Sequence, residues 1–202
     1  MRSSKRELFH EKMSKPVPSL NRAGRLVIIA FFLSVVFLSA GCGTSIHDAV
    51  ARYDINFVAA MLKENPELIH AVDGKGKTAL HAAVTYSRVE MMPLLVDCGA
   101  DVNAKDITGM TPLHIAGMLG RSEEAAWLIE HGADPLIEDD FGDTPMHTAI
   151  VFGRGQIIKL LVEHGVAPDR PNGKGEKPVD IAKAYRQEKV AQYLYFLIQH
   201  EK

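Results

Sequence analysis

Residues 109–116 read Gly109-Met110-Thr111-Pro112-Leu113-His114-Ile115-Ala116. Thr111 supplies a hydroxyl that can accept a free backbone N–H at a helix start. Pro112 follows at the first helical position, where a missing N–H does no harm. Leu113 and Ala116 then fall three apart, on one face of a helix. The stretch predicts a helix that starts sharply and is buried along one side. It is also repeated. Gly76-Lys77-Thr78-Ala79-Leu80-His81-Ala82-Ala83 lies 33 residues upstream, and Gly142-Asp143-Thr144-Pro145-Met146-His147-Thr148-Ala149 lies 33 downstream. A weaker copy, Gly175-Glu176-Lys177-Pro178-Val179-Asp180-Ile181-Ala182, follows at the same step. A second landmark keeps the period: Gly99-Ala100-Asp101, Gly132-Ala133-Asp134 and a decayed Gly165-Val166-Ala167. Phased copies at a fixed step are the signature of a stacked repeat architecture.

The G-x-T-P-L-H-x-A and G-A-D motifs resemble the ankyrin repeat, over about residues 46–200. The resemblance implies an all-α repeat solenoid of about five units, each a helix-turn-helix plus a hairpin loop. The units fall at about 46–72, 73–105, 106–138, 139–171 and 172–202, and the first and last read as caps. Small Ala83, Ala116, Ala149 and Ala182 let first helices approach one another. Leu62, Leu95, Leu128, Leu161 and Leu194 mark the second helices, which Gly99, Gly132 and Gly165 terminate. Pro93 falls near the first turn of its helix, where it is tolerated. The upstream copy, through Ala49, Val50, Asp54, Val58, Leu62 and Asn65-Pro66, aligns without a gap. Its first helix is polar outside (His47, Asp48, Arg52), as a cap should be. Stacking these units buries one continuous, quasi-one-dimensional core.

The segment before the repeats has a different character. Residues 1–41 hold seven Lys/Arg and two Glu, leaving 16 basic against 23 acidic residues in the remainder. An acidic body is a poor match for nucleic acid, which rewards clustered cations. Residues 26–40, LVIIAFFLSVVFLSA, carry no charge and follow Arg22 and Arg25. A basic region, an apolar run and small residues make the layout of a secretory signal. Either Met1 or Met13 can serve as the start. Leu38-Ser39-Ala40-Gly41 before Cys42 resembles the bacterial lipoprotein lipobox, with Ser39 departing from the leucine usual there. The resemblance implies a signal peptide over 1–41, a lipidated Cys42, and a short tether over 42–45. It further implies the periplasmic side of a bacterial cell envelope. Gly43, rather than Asp, after the cysteine favours the outer over the inner membrane. From Cys42 to the helix near Ile46 the chain reaches roughly 10 Å, so the first repeat would sit against the bilayer.

His81, His114 and His147 recur at the repeat step, but neighbouring helices pack about 8–10 Å apart. The expectation is a hydrogen-bonding role between repeats, with no metal and no cofactor. His131 and His164 fall at second-helix ends, where a cation suits the helix dipole. Cys98 holds the same repeat position and reads either as a half-buried small apolar residue or as a lone reactive thiol. Two cysteines cannot form a disulfide framework. No glycine-rich loop follows a strand, and no nucleophile departs from the repeat pattern, so no catalytic residue is assigned. Glu124 stands where its repeat equivalents are Met91 and Ile157, and is expected to turn outward or to pair with Arg121 or Arg154.

Function then falls to the positions that the framework leaves open, which the ankyrin resemblance implies are the hairpin tips and the concave side of the first helices. These carry Tyr86, Ile107, Met110, Met118, Leu119, Phe141, Val151, Phe152 and Tyr185. Apolar and aromatic residues in a row on a surface mark an interface. The reading is a non-catalytic protein-binding module tethered to the membrane through Cys42. Its task would be to scaffold or protect an exported enzyme, or to neutralise a toxin as an immunity protein. The alternative is a structural envelope component that self-associates through the same face; an enzyme or metal carrier is the less favoured reading.

Overall fold

Each interior repeat begins with a capping box in which histidine plays the part usually taken by Glu or Gln. The Thr78, Thr111 and Thr144 backbone N–H groups donate to Nδ1 of His81, His114 and His147 at 3.2, 3.1 and 3.3 Å. The computed structural model describes residues 44–200. The expected signal peptide, its apolar run and Cys42 lie outside the described residues.

Ten α-helices are described: α1 (Ile46–Ala51), α2 (Ile55–Glu64), α3 (Ala79–Thr85), α4 (Met92–Asp97), α5 (Pro112–Leu119), α6 (Ser122–Glu130), α7 (Pro145–Val151), α8 (Gly155–Glu163), α9 (Pro178–Ala184) and α10 (Glu188–His200). Two 3-10 turns, Pro66–His70 and Val89–Met91, complete the set, and no strand occurs among the described residues. Successive odd-numbered helices pack side by side, α1 on α3, α3 on α5, α5 on α7 and α7 on α9. Each also packs on the even-numbered helix that follows it, so the described chain is an all-α stack of five helix pairs.

The expected framework is the observed core. Leu80, Leu113, Met146 and Val179 are buried in the first helices, and Leu62, Leu95, Leu128, Leu161 and Leu194 in the second. The four framework alanines are fully buried, and each large side chain so placed contributes about 1.5–3 kcal/mol. The core runs from Ile46 to Leu194, so the helical unit closes its own interior. At Gly117, in the middle of α5, an added Cβ would sit 2.8 Å from the Pro145 carbonyl oxygen. Glycine there lets α5 and α7 approach at backbone distance. Gly99, Gly132 and Gly165 end their helices at φ 97, 93 and 85°, as expected for the left-handed residue past a helix end.

Two features differ from the sequence reading. The left-handed residue after each first helix falls at Tyr53, Ser87, Gly120, Gly153 and Arg186. The first interval is 34 residues and the others are 33, because α1 has six residues where α3 has seven. The turn after α1 thus comes one residue early, at Tyr53 rather than Asp54, while Ser45, Val50, Val58 and Leu62 keep the step of 33 to Thr78, Ala83, Met91 and Leu95. Second, the repeat-2 helix is split: the 3-10 turn Val89–Met91 precedes α4, and Pro93 sits in the first turn of α4. Proline is tolerated there, as expected, because that N–H has no intrahelical partner.

Candidate functional site

The hairpin tips are built on one side chain per repeat. Asp73 Oδ1 accepts from the Lys75 and Lys77 backbone N–H groups at 2.7 and 2.9 Å. Asp106 accepts from Thr108 and Met110 at 2.8 and 3.1 Å, and Asp139 from Phe141 and Asp143 at 2.9 and 3.0 Å. Asn172 Oδ1 repeats the pattern with Lys174 and Glu176. Such Asx turns hold a tight loop without help from a strand. Neighbouring tips are linked in series, because Ile107 N–H donates to Lys75 O and Asp140 N–H donates to Thr108 O. These four residues were missed in the sequence reading. Their signal was available, an Asp or Asn three residues before each of Gly76, Gly109, Gly142 and Gly175.

On this scaffold Ile107 is 67% and Phe141 is 59% exposed. The Lys174 ammonium lies 5.6 Å from the Phe141 ring centroid, a cation–π distance. At the ends of the first helices a second row runs at a step of 33: Tyr86, Leu119, Phe152 and Tyr185. Tyr86, Phe152 and Tyr185 are exposed, at 51, 46 and 57%. Between the fourth and fifth repeats a groove runs from the helix ends to a hairpin tip. Its walls include Val151, Ala184 and Tyr185 from the helix ends, Lys177 and Asp180 at the start of α9, and Lys174 from the tip.

The remaining candidates sit differently. Met110, Met118, Leu119 and Val151 are half-buried and pack against the core. The open surface is therefore narrower than the sequence implied, with its exposed apolar area on Tyr86, Ile107, Phe141, Phe152 and Tyr185. The reason is inter-repeat packing. A helix position that is open within one repeat is partly covered by the next.

The histidines join the repeats. Nε2–H of His81 donates to Met110 O at 3.0 Å, that of His114 to Asp143 O at 2.9 Å, and that of His147 to Arg170 O at 3.0 Å. His47 Nε2 reaches Lys77 O at 2.7 Å, so the capping repeat has this link too. With Nδ1 accepting and Nε2–H donating, each of the three interior imidazoles is neutral and uses both nitrogens on the protein. Burial pushes the pKa of all three below the ordinary histidine value. His131 and His164 cap their helix ends through Nδ1, on Trp127 O at 2.7 Å and Leu160 O at 2.8 Å.

A second ladder was not read from the sequence. Arg88, Arg154 and Gln187 reach back to the carbonyls that end the preceding repeat's first helix. Their partners are Ala51 O, Met118 O and Val151 O, at 3.0, 3.1 and 3.2 Å. A donor there satisfies an orphan helix-end carbonyl. Glu124 neither turns outward nor pairs with an arginine. It is 2% exposed and accepts a hydrogen bond from the Ser87 hydroxyl. Cys98 is exposed rather than half-buried, and desolvation together with Asp97 raises its pKa. Less of it is therefore thiolate at neutral pH than for an ordinary thiol. Among the described residues no helix is long and apolar enough to cross a membrane.

A comparison with curated proteins found no match. A family model described as ankyrin repeats, three copies, matches residues 46–139 and 127–201. Repeats of this kind are binding modules for other proteins. Together the two matches span the helical stack just described, and the chain belongs to the ankyrin-repeat family.

Proposed function

We propose that this chain is an exported ankyrin-repeat lipoprotein that holds a protein partner close to a bacterial envelope membrane. One observation carries the binding half of the reading. Exposed aromatics recur at one repeat position, Tyr86, Phe152 and Tyr185, beside Ile107 and Phe141 at the tips. Water alone would not favour large apolar side chains at five such places. Aromatic anchors with a polar rim are what a protein interface uses. The sequence carries the other half: an uncharged run over 26–40, then Ala40-Gly41-Cys42. Acylation of the Cys42 thiol by more than one chain would give firm anchoring, on the periplasmic side and preferably at the outer membrane. The partner is a protein, either an exported enzyme that the module scaffolds or protects, or a toxin that it neutralises.

The test compares affinity capture from envelope extracts by wild-type protein and by Phe152→Asp and Phe141→Asp, with circular dichroism as the folding control. The reading requires loss of the captured partner while the spectrum stays native. Unchanged capture by both variants refutes the assigned face. Self-association through the same face is the competing reading. Light scattering separates the two: a dimer that Phe152→Asp converts to monomer would favour self-association.

A further inference from the structure

Four departures from the repeat pattern meet at one junction, between the second and third repeats. Ser87 takes the left-handed turn at φ 55°, where the other two interior repeats have Gly120 and Gly153 and the capping repeats have Tyr53 and Arg186. The second helix of repeat 2 is only the six-residue α4 behind a 3-10 turn, against nine residues in α6 and in α8. Glu124 lies in the interior at a position where Met91 and Ile157 are fully buried. Its hydrogen bond crosses the junction to the Ser87 hydroxyl. Finally, the buried Nε of Arg121 has no hydrogen-bond partner, whereas Arg154 Nε–H, one repeat later, donates to Met118 O.

We propose that this junction is a built-in joint: repeats 1–2 and repeats 3–5 form two stiffer blocks, and the stack opens first between them. In a linear repeat protein the neighbour interfaces set how tightly units are coupled. At the other junctions, opening exposes apolar side chains and gains little in return. Here water would reach a buried carboxyl group, whose hydrogen-bond partner is a single hydroxyl, and a guanidinium N–H group that has none. Opening is thereby offset most at this place. The consequence bears on recognition, although the joint does not rest on the binding reading. Tyr86 immediately precedes Ser87, so the joint sets the separation of Tyr86 from Phe152 and lets the aromatic row adjust to what it grips.

Amide hydrogen exchange on the 44–202 chain tests this. The junction between repeats 3 and 4 is the matched control, since each junction is second from one end of the stack and end fraying reaches both alike. At the joint the reporters are the Arg121 and Ala125 N–H groups, bonded to Ala116 O and Arg121 O. At the control they are Arg154 and Ile158, bonded to Ala149 O and Arg154 O. We expect exchange at least about tenfold faster at the joint, falling to within about threefold of the control in Glu124→Met. Ser87→Ala, which removes Glu124's partner, should widen the gap. Equal rates at the two junctions in the wild-type chain, equal slowing of both by Glu124→Met, or no response to Ser87→Ala would each overturn the proposal.

Discussion

Acid should loosen this stack in a window set by its inter-repeat histidines. In the fold His81, His114 and His147 are at most 1% exposed and neutral, with Nδ1 accepting from a threonine N–H and Nε2–H donating to a carbonyl. Protonating Nδ1 would turn that acceptor into a donor facing another donor. Burial lowers all three pKa values, while an unfolded histidine takes its proton near the ordinary value of about 6.5. Between the two values the unfolded chain binds more protons, so stability is full above about pH 6.5 and falls as pH drops through the window. One pH unit below the unfolded value, each histidine contributes a loss of up to about 1.4 kcal/mol, or about 4 kcal/mol for three. The low-held carboxylates Asp73 and Asp106 act in a separate range, below about pH 4. Urea unfolding at pH 7.5, 6.5 and 5.5, followed by circular dichroism, measures the slope. His114→Gln keeps a donor for Asp143 O but cannot titrate, and should remove about a third of the slope. A stability that is flat from pH 7.5 to 5.5, or a slope that His114→Gln leaves intact, refutes the reasoning.

Other substitutions probe separate parts of the molecule. Gly117→Ala puts a methyl 2.8 Å from the Pro145 carbonyl oxygen, and should destabilise by about 1–3 kcal/mol in the same urea assay. Asp106→Ala removes the acceptor of two tip N–H groups and should lower stability by about 1–3 kcal/mol. Asp106→Asn should be nearly neutral, since Asn172 holds its own tip in that way. Cys42→Ala should abolish fatty-acid labelling and release the protein from the membrane fraction; retention of label would place the acyl group elsewhere.

How much was legible follows from what a period can encode. A 33-residue step exposes every residue that must be the same in each repeat, so Thr111, Pro112, His114 and Ala116 could be read directly into helix starts and contacts. Asp106 and Arg154 were equally periodic. They escaped because their partners are backbone atoms, one in their own tip and the other a repeat away, and no residue type advertises a carbonyl. The burial of Met118 and Val151 was hidden for another reason. A helical face is fixed by its own sequence, but its coverage depends on how closely the next repeat approaches, which, for Met118, Gly117 sets from inside α5. Glu124 shows the converse. It broke the period visibly, yet surface charge and buried charge break it in the same way. Only the approach of Ser87, itself in a conformation that the next two repeats assign to glycine, distinguishes them. The two irregularities face each other across one junction. In a stack whose other junctions follow the rule, that pairing points to a local change in coupling, and it is why the joint can be sought at a single set of amides.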